Sequence, residues 1–303
     1  NPERGFVSSA NQSPTDRSYP YYLHWEFAPY ERAHRINNVL SSLQSATVDD
    51  FIDLQNDNYS ILAENILDKI ISLVDSNMLT RIEKESLTLL KSWDRNYNAS
   101  SIAASIFETW YNTLNDYIWN DKFGKPDIFM RYPSRDRTVQ MLLHEPDSPW
   151  YFNNLSTKKE NRGDIVNLSF RKANQLLEER HGDLIENWQW SKVKQSKVPH
   201  LAAIKGFGSR PLTIGGAKHT VNAMSEKNGP SWKMVVALGK EPTGYGILPG
   251  GQSGNPGSRY YDNQLATWEE GKLNPLLFFS NKDQYQDRIL TTIHLLPASK
   301  ENL

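Results

Sequence analysis

The feature that most constrains this chain is a change of texture near residue 200. From about residue 30 to 195 apolar residues recur at helical spacing; from about 205 onward glycine and proline cluster between short β-type runs. A chain of this kind must put a helical layer before a sheet, which is an α+β arrangement. In the first section Glu31-Arg32 opens a segment carrying Ile36, Val39, Leu40 and Leu43. Thr47, followed by Asp49 and Asp50, reads as a capped helix start. Ile61, Leu62, Ile66, Ile70, Leu73 and Val74 follow at helical spacing. Ser100 or Ser101 caps a helix through Ile102, Ile106, Trp110, Leu114 and Ile118. Another helix runs from about 165 to 180 and stops at His181-Gly182. In the second section strands are expected over 211–214, 232–238, 245–248 and 289–296, with a short helix within 261–270.

Composition narrows the function classes. The net charge is −1, so no overall field draws nucleic acid or anionic lipid, and a small-molecule or protein partner is expected. No run of 18 apolar residues offers a membrane span. The absence of cysteine removes disulfides, thiolate metal sites and a cysteine nucleophile. Common catalytic signatures fail. Gly251-Gln252-Ser253-Gly254 lacks the spacing of a serine-hydrolase elbow. In Gly215-Gly216-Ala217-Lys218-His219-Thr220 the lysine and hydroxyl are not adjacent, so it is no P-loop. The seven histidines show no metal-ligand spacing, and His144-Glu145 and His200 read as structural. Two glycine-rich stretches, IGGAKHTVNA (214–223) and LPGGQSGNP (248–256), stay open between tight loops and close backbone approach to a ligand or neighbouring chain.

Seven blocks occur in order: GFVSSANQSP, YPYYL, ERAHRI, IGGAKHTVNA, GPSWKMVVAL, YGILPGGQSGNPGS and YYDNQLATWEEGKLNPLLF. As a set they resemble the penicillin amidase (penicillin acylase) family of N-terminal nucleophile hydrolases, from the first residues to about 297. The resemblance implies a precursor that cuts itself into α and β subunits, a four-layer αββα sandwich, and export to the periplasm or outside of a bacterium. It implies a β-subunit N-terminal serine that attacks a substrate amide through an acyl-enzyme, with its own α-amine as base; such an amine titrates near pH 8. Expected substrates are N-acyl amides: β-lactam antibiotic side chains, N-acyl-homoserine lactones or similar. Which residues bind the substrate is not legible.

Residue by residue, Asn11 falls on the family's oxyanion-hole asparagine, at the end of residues 5–9, which are expected to form a strand of the central sheet. Without the resemblance, Asn11 reads as a turn asparagine bonding its own backbone. Arg32 falls on an arginine lining the active site; read alone it is a solvated helix-start charge, and Arg35 is a near neighbour. Residue 1 is Asn, which has no nucleophilic hydroxyl. The chain is therefore expected to be the C-terminal portion of a β subunit, inactive alone, partnered by the α subunit and the rest of β. A non-catalytic ligand-binding homologue on the same scaffold is the alternative, and a purely helical interaction domain leaves the glycine-rich blocks unexplained. No cofactor is required. Some family members bind calcium through an aspartate between the two motifs; residues 20–22 here hold no carboxylate, and His24 and Glu26 are not obvious replacements, so no metal site is expected.

Overall fold

A computed structural model describes residues 2–16, 18–123, 132–154, 159–281 and 283–297; Asn1 lies outside the described residues. Helices come first: α1 Glu31–Ser42, α2 Val48–Gln55, α3 Ile61–Ile71, α4 Arg81–Lys91, α5 Ile102–Phe123, α6 Arg135–His144, α7 Arg162–His181 and α8 Trp190–Lys194. Then come β1 Lys233–Ala237, β2 Thr243–Ile247, α9 Leu265–Glu269 and β3 Asn274–Leu276. The fold is α+β, with helices before strands.

Local chemistry sets the helix starts. Thr47 and Asp50 form a reciprocal capping box at α2, as do Thr80 and Glu83 at α4 and Asn161 and Asp164 at α7. The Ser60 hydroxyl accepts the Ala63 N–H at α3, and Ser101 accepts that of Ala104 at α5. At the far end of α7, Gly182 takes φ +83°, and its N–H reaches the Glu178 carbonyl.

The core sits around α5, which packs chiefly on α7 and buries Ala103, Ile106, Phe107, Trp110, Leu114, Ile118 and Trp119. Trp110 meets Phe170 edge-to-face at 4.8 Å and donates its indole N–H to the Ser169 hydroxyl at 3.0 Å. The other faces of α5 receive α4 and α8. A second, smaller apolar cluster, Leu212, Ile214, Met224, Ile247 and Trp268, lies under the strand section.

The strands form one antiparallel sheet in the order β1-β2-β3, with Val235 opposite Tyr245 and Tyr245 opposite Pro275. One face of β1 is buried through Lys233 and Val235; Met234 and Val236 point outward. The α2 helix packs on β1, and Gln55 Nε2 donates to the Met234 carbonyl at 2.9 Å. At Gly246 a Cβ would stand 2.6 Å from the Trp232 ring, so any side chain there would have to displace that ring.

Three expected strands do not form. Residues 5–9 join no sheet among the described residues. Val7 is 83% exposed, and Ser8 Oγ donates instead to Asn37 Oδ1 of α1 at 2.7 Å. Residues 211–214 are held by loop partners: Leu212 N–H donates to the Ser196 carbonyl and Thr213 N–H to the Glu269 carboxylate. Residues 289–296 have strand composition but no strand partner among the described residues, and Leu290 and Leu295 lie exposed. Pairing, not propensity, makes a strand.

Candidate active site

Two expected site residues meet. Asn11 stands in the left-handed region at φ +65°, which asparagine tolerates better than most residues. Its carbonyl accepts the Ala28 N–H at 2.8 Å, closing the loop between them. Arg32, the second residue of α1, turns back onto this bend. Its Nη2 donates to the Ala10 carbonyl at 3.0 Å and to Asn11 Oδ1 at 2.9 Å. A cation near a helix N-terminus faces the positive end of the helix dipole, at a cost of some tenths of a kcal/mol. Two charge-assisted hydrogen bonds offset that cost.

The bond fixes the asparagine amide. A guanidinium can only donate, so the amide oxygen must face Arg32 and the NH2 group must face the other way. That Nδ2 donates to no group among the described residues, and Asn11 is exposed. The result is a free N–H donor held at the solvent edge by a cation behind it.

Arg35 has a different task. Its Nε and Nη2 both donate to Asp57 Oδ2, at 3.0 and 2.7 Å, and its guanidinium lies 4.5 Å from the Tyr59 ring centroid. The geometry thus separates the two neighbouring arginines. Ahead of Arg32, Glu31 is buried; burial pushes its carboxyl above the ordinary value, and its ion pair to Arg135 is long, at 3.8 Å.

The glycine block at 214–223 is explained by close packing against its own chain. A Cβ on Gly215 would stand 2.6 Å from the Tyr97 carbonyl; one on Gly216, at φ +78°, would stand 2.2 Å from the Asn222 carbonyl. Trp190 Nε1 donates to the Gly216 carbonyl at 2.8 Å. Lys194 Nζ, buried, donates to the Gly215 and Gly216 carbonyls at 2.6 and 2.9 Å, and burial brings the amine down to about 7. His219, also buried, faces Ser60 Oγ at 3.0 Å and packs edge-on to Tyr97. The block at 248–256 likewise meets its own chain, a Cβ on Gly251 falling 2.0 Å from the Tyr260 carbonyl. That block also borders an open groove of about 610 Å³ with Val198, Phe207, Leu248 and Tyr261 in its walls.

His144 ends α6, and His200 bonds the Ala202 N–H and packs on Phe207; neither comes to Asn11. Among the described residues no three His, Asp or Glu side chains come together as a metal-holding group. His24 packs edge-on to Trp25 and Phe27. No helix among the described residues is long and apolar enough to cross a membrane. The sequence reading missed the Arg35–Asp57 pair, since residues 22 positions apart carry no spacing signal; it offered Asn11 as a turn asparagine, and the structure adds its left-handed φ and its bond to Arg32.

Comparison with known proteins identifies the family. The sequence model described as Penicillin amidase matches residues 1–284. The chain belongs to the penicillin amidase family. It is 24% identical to the acyl-homoserine lactone acylase QuiP of Pseudomonas aeruginosa, over 95% of this chain and 39% of that protein. It is 22% identical to the penicillin acylase 2 proenzyme of Pseudomonas sp. strain SE83, over 98% of this chain and 39% of that protein. The chain thus spans about two fifths of the length of these curated relatives. Among solved structures, the thermostable penicillin G acylase from Alcaligenes faecalis superimposes with a TM-score of 0.58 at 14% identity, covering 99% of this chain and 58% of that one.

Proposed function

We propose that this chain carries the oxyanion-stabilising part of an acylase that hydrolyses N-acyl amides. The observation that supports it is the Arg32–Asn11 bond, which turns Asn11 Nδ2 outward as a pre-aimed donor. In the proposed reaction the N-terminal serine implied by the family adds to the amide carbonyl, with its α-amine taking the hydroxyl proton. The carbonyl oxygen becomes an oxyanion and accepts from Asn11 Nδ2. The protonated α-amine gives its proton to the leaving nitrogen, collapse breaks the C–N bond and expels the amine, and the acyl-enzyme left behind is hydrolysed by water. A fixed donor costs no reorganisation as charge develops, and one such donor is worth about 3–4 kcal/mol. Arg32 keeps the amide oriented and adds positive potential behind it.

The chain spans about two fifths of the length of its curated relatives; in this reading the rest of the full-length protein supplies the serine nucleophile, so the chain alone is inactive, and the remaining part of the β subunit and the α subunit, released by autoprocessing, complete the site. No cofactor enters the steps. Calcium is not needed by these residues. An exported, periplasmic setting goes with the family. Names of relatives containing acyl-homoserine lactone acylase and penicillin acylase support an acyl amide as substrate. The test is to incubate the full-length protein with N-acyl-homoserine lactones and acylated β-lactams and follow free amine by derivatisation. Amine release from at least one class supports the proposal. A processed, folded protein that binds these ligands without cleaving any would overturn it in favour of a binding homologue.

A further inference from the structure

The α1 helix is seated by half-buried Ile36, Val39 and Leu40 and by polar pins. Only Glu31 and Ala33 of α1 are fully buried, and the Glu31–Arg135 pair is long at 3.8 Å. Arg35, one turn beyond Arg32 and on the same flank, makes the tightest ion pair on this helix. Its partner Asp57 is itself fastened from three sides. Asp57 Oδ2 takes both Arg35 bonds, Oδ1 accepts the Tyr59 N–H at 2.9 Å, and the Asp57 carbonyl accepts the Asn222 N–H at 2.9 Å. The Tyr59 ring lies against the Arg35 guanidinium, so the fork cannot rotate freely. Asn58 next door binds the Asn222 side chain at 3.0 Å, which ties the same loop to the glycine block.

We infer that Asp57 is a positioning residue for the oxyanion site, holding α1 through Arg35 so that Arg32 can fix the Asn11 amide. The inference rests on the role proposed for Asn11. Arg32 makes two bonds near 3 Å from a single nitrogen. A helix shift of about 1 Å breaks both, since hydrogen bonds fail beyond about 3.5 Å. Among the described residues Asp57 bonds Arg35, Tyr59 and Asn222 and neither Asn11 nor Arg32, so its effect on Asn11 passes through α1. The pair is also partly shielded, with Arg35 28% and Asp57 15% exposed, so salt weakens it less than it would a surface pair.

The experiment is a double-mutant cycle on amide hydrolysis in the full-length protein, with Asp57→Asn, Asn11→Ala and the double variant. Asp57→Asn is expected to lower kcat about tenfold with KM little changed, Asp57→Glu to restore most of it, and Asp57→Asn to cost less than about twofold once Asn11 is alanine. A merely structural role would lower kcat by the same factor in both backgrounds, and that additivity overturns the inference. An unchanged kcat in folded Asp57→Asn also overturns it. If Asp57→Asn does not fold, Arg35→Lys replaces it in the cycle; it keeps the charge, loses the two-nitrogen grip, and must show the same non-additivity. If Asn11→Ala alone leaves kcat unchanged, the oxyanion reading fails and this inference with it; an Asn11 effect without coupling to Asp57 sinks only the inference.

Discussion

Acid should destabilise this protein through one histidine. His219 is buried with Nε2 3.0 Å from Ser60 Oγ, and its Nδ1 has no hydrogen-bond partner among the described residues. An imidazolium must donate from both nitrogens, so protonation inside this site leaves one N–H unmet. Burial, partly opposed by Glu108 and reinforced by Arg135, lowers the imidazole from 6.5 to about 4. The sign follows from linkage. Below pH 6.5 the unfolded chain takes a proton on this residue while the folded one does not until about pH 4, so stability falls across that window and the histidine contribution levels off beneath it. At about 1.4 kcal/mol per pH unit, the loss attributable to His219 is about 3 kcal/mol. Ser60 also caps α3 through the Ala63 N–H, so the penalty should appear as loss of helical signal. The assay is urea unfolding by circular dichroism between pH 7 and 4 for the wild type and His219→Gln. Glutamine does not titrate, so between pH 7 and 4 the wild type should lose about 3 kcal/mol relative to the variant, whatever their offset at pH 7. Parallel curves would refute the assignment.

Two further outcomes follow from the site and the glycine block. Arg32→Met frees the Asn11 amide to rotate; kcat should fall by about 10- to 100-fold with KM nearly constant, and not beyond the loss in Asn11→Ala, by steady-state kinetics. Gly216→Ala places a Cβ 2.2 Å from a backbone carbonyl at φ +78° and disturbs the carbonyl that serves Trp190 and Lys194, so urea midpoints should report a loss above about 3 kcal/mol; a loss under about 1 kcal/mol would contradict the packing account.

The helical half of this fold was legible because its determinants are local. Thr47, Ser101 and Gly182 sit where caps were expected, and the apolar spacing of α3 and α5 is regular. Helices α4 and α6 escaped notice, although Thr80-x-x-Glu83 is a complete capping box. Strands were harder. β1 and β2 pair with one another and were read from sequence, whereas residues 5–9 and 289–296 share their composition and find no strand partner among the described residues. Composition reports what a segment tolerates, and hydrogen-bond partners are a property of the fold. The glycine blocks show the same limit. Sequence left them open between tight loops and close approach to a ligand or neighbouring chain; in the structure the close approach is to Asn222, Tyr97 and Tyr260 of the same chain. At the site, motif order selected Asn11 and Arg32 as individuals. Their mutual bond, and the different partner of Arg35, depend on a bend at φ +65° that no spacing rule encodes.

The most direct test of the central claim is the kcat of Asn11→Ala in the full-length protein on an N-acyl amide it cleaves. A fall of about 10²- to 10³-fold in kcat with a much smaller change in KM is expected, because the Asn11 N–H is used as the oxyanion forms and not when substrate binds. An unchanged kcat in a folded variant, or a loss confined to KM, would contradict it.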